Sequence, residues 1–205
     1  MNYVSTRERL KLLPEVFTLN TAAAMIGVDT TVASTYIARW KKQGLVSSLG
    51  QRTGVHFNLG RNPLAEETMR MEAIGYVYPG SMIGGVSALH GAGWTTQIPQ
   101  EIDLMVPVRR SYPAVDNVQI HGRTLSWVRS SRNWRHDASP LPSLQPSFAL
   151  ADCVINGIWI PDPDDIEWDQ VDIEELRKAF DCLGAEIPEI WSDEIDYLGC
   201  SGPGM

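Results

Sequence analysis

The chain has 205 residues, 43% of them hydrophobic and 20% charged, and a formal net charge of −8. This length accommodates one large or two small globular domains, and the apolar runs, such as residues 157–160, are far shorter than the ~20 residues of a membrane-spanning helix. The first residues are charged and have no apolar signal-peptide core, so we expect a cytoplasmic protein without a membrane span.

The cysteines do not indicate a disulfide framework or a zinc site. They are odd in number, widely spaced and without a C-x-x-C pair: Cys153, Cys182 and Cys200. This pattern is typical of reduced thiols. The histidines also lie on different predicted elements, without the spacing of metal ligands. We therefore expect neither a metal nor a cofactor.

The charge is divided unevenly along the chain. Residues 1–60 carry seven Lys/Arg and three Asp/Glu, a net charge of +4, and residues 61–160 carry eight of each sign. Residues 161–205 carry two cations and fourteen acids, a net charge of −12. Such an asymmetry is typical of a nucleic-acid-binding end joined to a region with another role.

Three short helices are predicted at the beginning of the chain, over residues 7–13, 20–26 and 30–43. Pro14 ends the first because proline cannot continue a helix without losing a hydrogen bond. Gly27 and Gly44 are typical ends for the other two. The third helix can be capped by Asp29 or Thr30, and its apolar residues recur every three or four positions, as in a helix packed on its neighbours.

The outward face of the third helix combines short hydroxyl side chains with long cations. Its residues are Thr30, Thr31, Ser34, Thr35, Arg39, Lys41 and Lys42. Small polar groups suit an approach to base edges in the major groove, and cations suit contact with phosphates. Two alternating runs over 45–50 and 55–59 then predict a β-hairpin with Arg52 at its tip.

This order of three helices and a hairpin is that of a winged helix-turn-helix, so we predict a DNA-binding domain over residues 1–61. The expected partner is double-stranded DNA, with the hydroxyls near bases and Arg39, Lys41, Lys42 and Arg52 at phosphates. Because one copy offers few cations, we expect a homodimer or paired binding on operator repeats. The alternative is an ordinary amphipathic helix whose charges face water.

A second domain is predicted over residues 62–205, beginning at Asn62-Pro63. Its predicted helices and strands alternate along the chain. The helices are expected over 64–71, 81–91 and 146–155, the strands over 76–78 and 102–107, and a hairpin that turns at His121-Gly122 over 118–129. The whole chain is therefore predicted to have an α+β fold, a winged helix-turn-helix followed by a mixed α/β domain.

Residues 161–198 form an acidic helical end of this second domain. The pattern over 172–184 predicts an amphipathic helix with acids first and bases last, which suits the helix dipole. Another short helix is predicted before residue 199, and residues 199–205 are expected to fray. The negative surface could keep the rest of the protein off DNA or meet a basic partner, and the alternative is solvation alone.

Several short motifs follow one another in the second domain. The stretch PGSMIGGVSALHGAGWTTQIPQEIDLMVP is followed by a two-stranded segment and then by QPSFALADCVI. Over roughly residues 5–160 this order resembles AbiEi-type abortive-infection antitoxins, whose pattern maps onto residues 76–78, 87–91, 96–99 and 101–107. Ala92-Gly93-Trp94 departs from the Gly-Leu that is usual in that family.

The resemblance implies a winged helix that represses its own operon and a second domain that counteracts a nucleotidyltransferase toxin, in some members without a stable complex. We therefore expect a DNA-binding antitoxin of a toxin-antitoxin system, with no enzymatic activity and no catalytic residues. The runner-up is a winged-helix transcription regulator whose second domain senses a ligand or a different partner.

A third alternative is a degenerate nucleotidyltransferase-like enzyme. Gly84-Gly85 resembles a turn that grips a triphosphate, and Glu101 and Asp103 share one face of a strand, as Mg²⁺ ligands would. However, no acid occurs from 117 to 136 to supply a third carboxylate, and no Lys or Arg between Gly85 and Glu101 could meet the phosphates. In the structural interpretation, the two glycines allow close packing of a helix, and the two acids lie at the edge of a strand.

A second basic cluster lies outside the winged helix. Arg129, Arg132 and Arg135 are interleaved with Trp127 and Trp134. Aromatic rings and cations in this arrangement suit stacking on bases and contact with a nucleic-acid backbone. The cluster is therefore a candidate second nucleic-acid contact, and a solvated loop is the alternative.

Overall fold

The computed structural model describes residues 5–108, 111–137 and 140–200. It contains both helices and sheets, so the predicted α+β class is confirmed. The chain divides into two compact units. The first comprises the described residues of 1–79 and 110–116, and the second those of 80–109 and 117–205. The boundary expected from the sequence lies earlier, after residue 61.

Three helices open the first unit close to their predicted positions: α1 (Thr6–Leu12), α2 (Leu19–Ile26) and α3 (Thr30–Lys42). Ser5 caps α1 in a reciprocal arrangement with Glu8, and Thr18 caps α2. Asp29 caps α3, because its Oδ1 accepts a hydrogen bond from the backbone N–H of Thr31 at 2.8 Å. These caps satisfy N–H groups that have no partner within the helix.

A three-stranded antiparallel sheet follows the helices, in the order β1-β3-β2. The predicted hairpin is present as β2 (Val46–Ser48) and β3 (Val55–Asn58), whereas β1 (Val16–Thr18) is absent from the prediction. Three residues are too few to show alternation, and β1 forms because it pairs with β3. The buried core of these elements includes Leu13, Phe17, Ile37, Trp40 and Val46.

The first unit continues with α4 (Ala65–Thr68) and α5 (Arg70–Val77). The strand predicted over 76–78 is wrong, because Tyr76 and Val77 belong to the last turn of α5. Aromatic and β-branched residues favour strands by propensity, but packing decides here. The buried Tyr78 ends the helix, and its hydroxyl donates a hydrogen bond to the carbonyl of Pro113 at 2.7 Å.

A mixed five-stranded sheet organises the second unit, in the order β6-β5-β4-β8-β7. Its strands are β4 (Met82–Ile83), β5 (Ile102–Pro107), β6 (Val118–Arg123), β7 (Arg135–His136) and β8 (Ser143–Leu144). β5 and β6 run parallel, with Asp103 opposite Gln119. β5 confirms the predicted strand over 102–107, and β6 lies at one end of the sheet.

The helices described in the second unit are α6 (Gly85–Gly91), α7 (Leu125–Ser130), α8 (Pro146–Ile155), α9 (Ile173–Leu183) and α10 (Ser192–Cys200). α8 and α9 confirm the predictions over 146–155 and 172–184. α6 begins later than predicted because Met82 and Ile83 pair in the sheet. Of the residues predicted to fray, 199 and 200 belong to α10, and 201–205 lie outside the described residues.

The hairpin predicted over 118–129 is wrong. β6 continues through His121-Gly122, and Thr124 then caps α7. A buried ion pair accounts for this course of the chain, since Arg123 at the end of β6 donates to both carboxylate oxygens of Asp152 on α8, with Nη2 and Oδ2 2.7 Å apart. Trp127 of α7 also donates its Nε1–H to Asp152. A partner this distant in sequence leaves no local pattern.

The acidic end belongs to the core of the second unit. Leu176 and Phe180 of α9 are buried, as the predicted apolar stripe requires. Trp191 is fully buried, and its Nε1–H donates to the carbonyl of Pro161 at 3.0 Å. Residues 161–198 are therefore held by apolar packing, with their carboxylates on the outside.

The cysteines form no disulfide among the described residues. Cys153 and Cys182 are free thiols, and the side chain of Cys200 lies outside the described part of the protein. Among the helices of the described residues, none combines the length and apolarity needed to cross a bilayer.

Candidate nucleic-acid interface and a polar cleft

All eight residues predicted to contact DNA belong to the first unit, and all are exposed. Seven lie on α3, and Arg52 lies in the loop between β2 and β3. Ala33, Ile37 and Trp40 are buried and fix the rotation of α3, because residues three and four apart share one face of a helix. The seven on α3 are Thr30, Thr31, Ser34, Thr35, Arg39, Lys41 and Lys42.

Four of these residues form one row on α3 opposite its buried face. With about 100° between successive residues, Thr31, Thr35, Arg39 and Lys42 all point away from the core. The hydroxyls lie towards the beginning of the helix and the cations towards its end. Thr35 donates its hydroxyl to the carbonyl of Thr31 at 3.1 Å, which leaves its oxygen free to accept from a ligand. We call these four residues the outward row.

Two other predicted residues lie on the side of α3 that faces the hairpin. Ser34 and Lys41 border a cavity of about 220 Å³ whose opposite wall includes Gly54 and His56. Thr30 stands alone at the first position of the helix. The residues predicted on the outward face are exposed, but they divide between two surfaces, the outward row and the side that faces the hairpin. Val32, which the apolar pattern places on the buried stripe, is also exposed.

Within the described residues, Arg39, Lys41, Lys42 and Arg52 form no ion pair with Asp or Glu. Three of them lie in the last turn of α3, where positive charge is favoured by the helix dipole. Asp29, at the other end of α3, uses its carboxylate to cap the helix. Four positive charges are thus available to an external anion.

The loop that carries Arg52 has an unusual backbone. Arg52 has a φ of 61°, in the left-handed region that few residues other than glycine, Asn and Asp adopt. Residues 112–116 lie beside the loop, across a cavity of about 530 Å³ bordered by Gln51 and Arg52. This segment belongs to the same unit, although it follows β5 in the chain.

The structure adds one cation that the sequence analysis missed. The guanidinium carbon of Arg9 on α1 lies 4.4 Å from the centroid of the Tyr36 ring on α3. Such a cation-π contact contributes about 0.5–1 kcal/mol when exposed. Arg9 and Tyr36 are distant in sequence, so no local pattern signals the pair. Its charge is placed beside α3, where it adds to the positive field.

His56, by contrast, does not add to this positive charge. It is 9% exposed on β3, and its Nδ1 lies 2.8 Å from the hydroxyl oxygen of Ser48. Burial, and secondarily the nearby charge of Lys41, lowers the pKa of His56 from 6.5 to about 4. The imidazole is therefore neutral at physiological pH.

The second basic cluster keeps its arginines exposed but not its aromatic rings. Trp127 is buried, and both Trp127 and Trp134 pack against Phe148, at centroid distances of 5.7 and 5.6 Å. The ring of Trp127 therefore belongs to the core, and that of Trp134 is half-buried against it. Arg129 and Arg132 are exposed, and Arg135 pairs with Asp137 at 3.0 Å. A nucleic-acid contact here would depend on charge alone.

A polar cleft of about 830 Å³ lies within the second unit. Asp103 is at its base and is only 8% exposed. One carboxylate oxygen of Asp103 lies 2.8 Å from Nε2 of His121, and the other accepts from the backbone N–H of Ser87 at 3.3 Å. The hydroxyl oxygen of Ser87 in turn accepts from the backbone N–H of Asp103 at 2.9 Å.

Packing against β5 accounts for Gly84 and Gly85. A Cβ at Gly85 would lie 2.6 Å from Cγ of Asp103, and one at Gly84 would lie 2.6 Å from Cγ of Met105. Gly85 also has a φ of 55°. In the part of the chain that the structure describes, no group of three or more His, Cys, Asp and Glu side chains is placed to hold a metal ion.

No protein-family model and no curated protein matches the chain. A solved structure that is similar is the crystal structure of the RV2827C protein from Mycobacterium tuberculosis, with a TM-score of 0.60 and 16% sequence identity. The likeness covers 96% of this chain and 75% of the Mycobacterium protein. At this level of identity it shows a shared fold and nothing further.

Proposed function

We propose that this protein is a cytoplasmic DNA-binding antitoxin that represses its own operon and counteracts a nucleotidyltransferase toxin. The observation that supports DNA binding is the outward row of α3, in which Arg39 and Lys42 are exposed and unpaired among the described residues beside two hydroxyls. Cations of this kind release counterions from the DNA backbone when they meet phosphates.

The arrangement of elements supports the same proposal. Three helices followed by a hairpin whose second strand, β3, pairs with β1 are the components of a winged helix-turn-helix, in which the third helix enters the major groove. In that geometry Thr31 and Thr35 approach base edges, while Arg39, Lys42 and Arg52 meet phosphates. Two copies on an operator repeat would double the number of phosphate contacts.

The antitoxin part of the proposal rests on the sequence resemblance of the second domain to AbiEi-type antitoxins. The runner-up, a regulator whose second domain senses a ligand, is favoured by one observation, the polar cleft around Asp103. The two functions differ in their partner, so they can be separated by experiment.

DNA binding is tested by fluorescence anisotropy on a duplex carrying the region upstream of the gene, at several salt concentrations. The double substitution Arg39→Ala/Lys42→Ala should lower affinity roughly tenfold or more and reduce the slope of log K against log salt by about 2, because two phosphate contacts are lost. The matched control is Arg177→Ala/Lys178→Ala, which removes two exposed cations from α9. Equal effects of the two variants would overturn the proposed interface.

Toxin neutralisation is tested by growth after co-expression with the nucleotidyltransferase toxin that the proposal requires, which is sought among the genes beside this one. The full chain should restore growth, and Arg39→Ala/Lys42→Ala should restore it equally while losing repression of a promoter reporter. If the full chain binds its operator but never restores growth, the antitoxin proposal fails and the ligand-sensing regulator remains.

A further inference from the structure

The cleft of the second unit presents a row of polar side chains from one strand. Gln119 and His121 are two residues apart on β6, so they share one face of the sheet. Asn117 directly precedes the strand, and all three residues line the cleft. β6 ends the sheet order, and Asp103 lies opposite Gln119 on β5. Asn117 and Gln119 are exposed and His121 is half-buried, so their polar atoms are accessible to a ligand in the cleft.

His121 is oriented by Asp103. A carboxylate only accepts hydrogen bonds, so Nε2 of His121 carries the hydrogen that is donated to Asp103, and Nδ1 is the other ring nitrogen. Nδ1 has no hydrogen-bond partner within the described residues. The orientation of the ring is thus set by Asp103, and its unused nitrogen is available to a ligand in the cleft.

Three carboxamides of the cleft are unused, whereas the carboxamide of Gln97 donates to Asp165. The side chains of Gln100, Asn117 and Gln119 make no hydrogen bond to any described residue. Asn156 donates its Nδ2 hydrogens to the carbonyl and carboxylate oxygens of Asp152, which leaves its own Oδ1 as an acceptor. A carboxamide offers a donor and an acceptor side by side, which matches the edge of a nucleobase.

The remaining wall of the cleft is apolar. The charged side chains that line the cleft are acidic. Ile98, Pro99, Ile158 and Trp159 line it, and Ile98 is 78% exposed, although aliphatic side chains of this size are usually covered. No Lys or Arg is among the described residues that line the cleft, whereas Glu101 and Asp103 are. A phosphate group would therefore meet carboxylates without a compensating cation.

We propose that this cleft binds an uncharged nucleoside. Its base would pair with the carboxamides of Asn117 and Gln119 and with Nδ1 of His121, and the flat face of the base would lie against the apolar wall. An adenine base fits best, because Gln and Asn carboxamides pair with its N6 and N7 atoms. The ligand is a nucleoside and not a nucleotide, because the described residues that line the cleft include no Lys or Arg. This inference does not depend on DNA binding or on toxin neutralisation.

Isothermal titration calorimetry of the full chain with adenosine tests the proposal, with AMP and a disaccharide as comparison ligands. We expect a dissociation constant on the order of 0.1–1 mM for adenosine, and AMP should bind at least about tenfold more weakly. Gln119→Leu keeps the approximate size of this exposed side chain but removes its hydrogen-bond donor and acceptor. It should weaken adenosine binding roughly tenfold. Gln170→Leu, at an exposed position that is not among the cleft residues, is the matched control and should bind normally.

Three results would overturn the inference. The first is no heat of binding with adenosine up to about 10 mM, well above the expected range. The second is AMP or the disaccharide binding more tightly than adenosine. The third is equal binding by Gln119→Leu and the unaltered chain, with circular dichroism confirming that both are folded.

Discussion

The two units differ in how they use positive charge. In the first unit Arg39, Lys42 and Arg52 are exposed and have no acidic partner among the described residues. In the second unit Arg123 is 7% exposed and is bonded to the fully buried Asp152. The first group is available to a ligand, whereas the second stabilises the fold. Counting charges in a sequence does not separate these roles, because they differ only in burial and partners.

The largest expected effect comes from breaking the buried pair of the second unit. Asp152→Asn leaves the guanidinium of Arg123 buried without a counter-charge, and weakens the bonds from Trp127 and Asn156. We expect a loss of about 3–5 kcal/mol in the free energy of unfolding, measured by urea denaturation. Glu174→Gln breaks the exposed ion pair with Arg177, whose atoms are 3.8 Å apart, and should change the free energy of unfolding by less than about 1 kcal/mol. Similar losses in both variants would contradict the contrast between buried and exposed charges.

An intermediate effect is expected from His56, which is the buried titratable group next to the cations of the first unit. Its pKa is about 4 in the folded protein and near 6.5 when unfolded, so the unfolded chain binds a proton first as the pH falls. Its contribution to stability is complete above pH 6.5 and is lost as the pH falls to about 4, up to about 3 kcal/mol.

This pH dependence is measured by denaturation of the unaltered chain and of His56→Gln between pH 7 and pH 4. The variant keeps a polar group beside Ser48 but cannot take up a proton, so it should lose less stability than the unaltered chain over that window. Parallel curves for the two proteins would mean that His56 titrates normally and is not held in a dry site.

The smallest effect on stability, with the opposite sign, is expected at Arg52. Glycine adopts a φ of 61° without steric cost, so Arg52→Gly should raise the free energy of unfolding by roughly 0.5–1 kcal/mol. The same variant removes a proposed phosphate contact and should reduce the salt slope of DNA binding by about 1. Arg52→Lys, which keeps the charge, should leave the slope unchanged. A loss of stability in the glycine variant would show that the side chain is needed by the fold.

The sequence predicted best those elements whose ends are marked locally. Asp29 and Gly44 bound α3, and Asp172 and Gly184 bound α9, so both helices and their buried stripes follow from caps and periodicity. It failed where a distant partner decides. Tyr78 ends a helix and bonds to Pro113, and Arg123 continues β6 because Asp152 lies behind it.

The site residues divide in the same way. The exposed face of α3 is predictable because rotation of a helix follows from its buried stripe. The cleft could be foreseen only in part, since alternation on one strand paired Glu101 with Asp103. The contribution of His121 depends on β5 and β6 lying side by side with Asp103 opposite Gln119, and no spacing in the sequence fixes that register.

The return of residues 111–116 to the first unit makes that unit discontinuous along the gene. Tyr78 donates to Pro113, Arg70 donates to the carbonyl of Asp116, and Gly50 packs against the backbone of Ala114. A fragment that ends at residue 61 or 79 lacks residues 111–116 and therefore these contacts. Truncation at a single position thus cannot produce the complete first unit. The first unit therefore cannot be transferred to another protein as one continuous segment. A shortened version of it must also include residues 111–116.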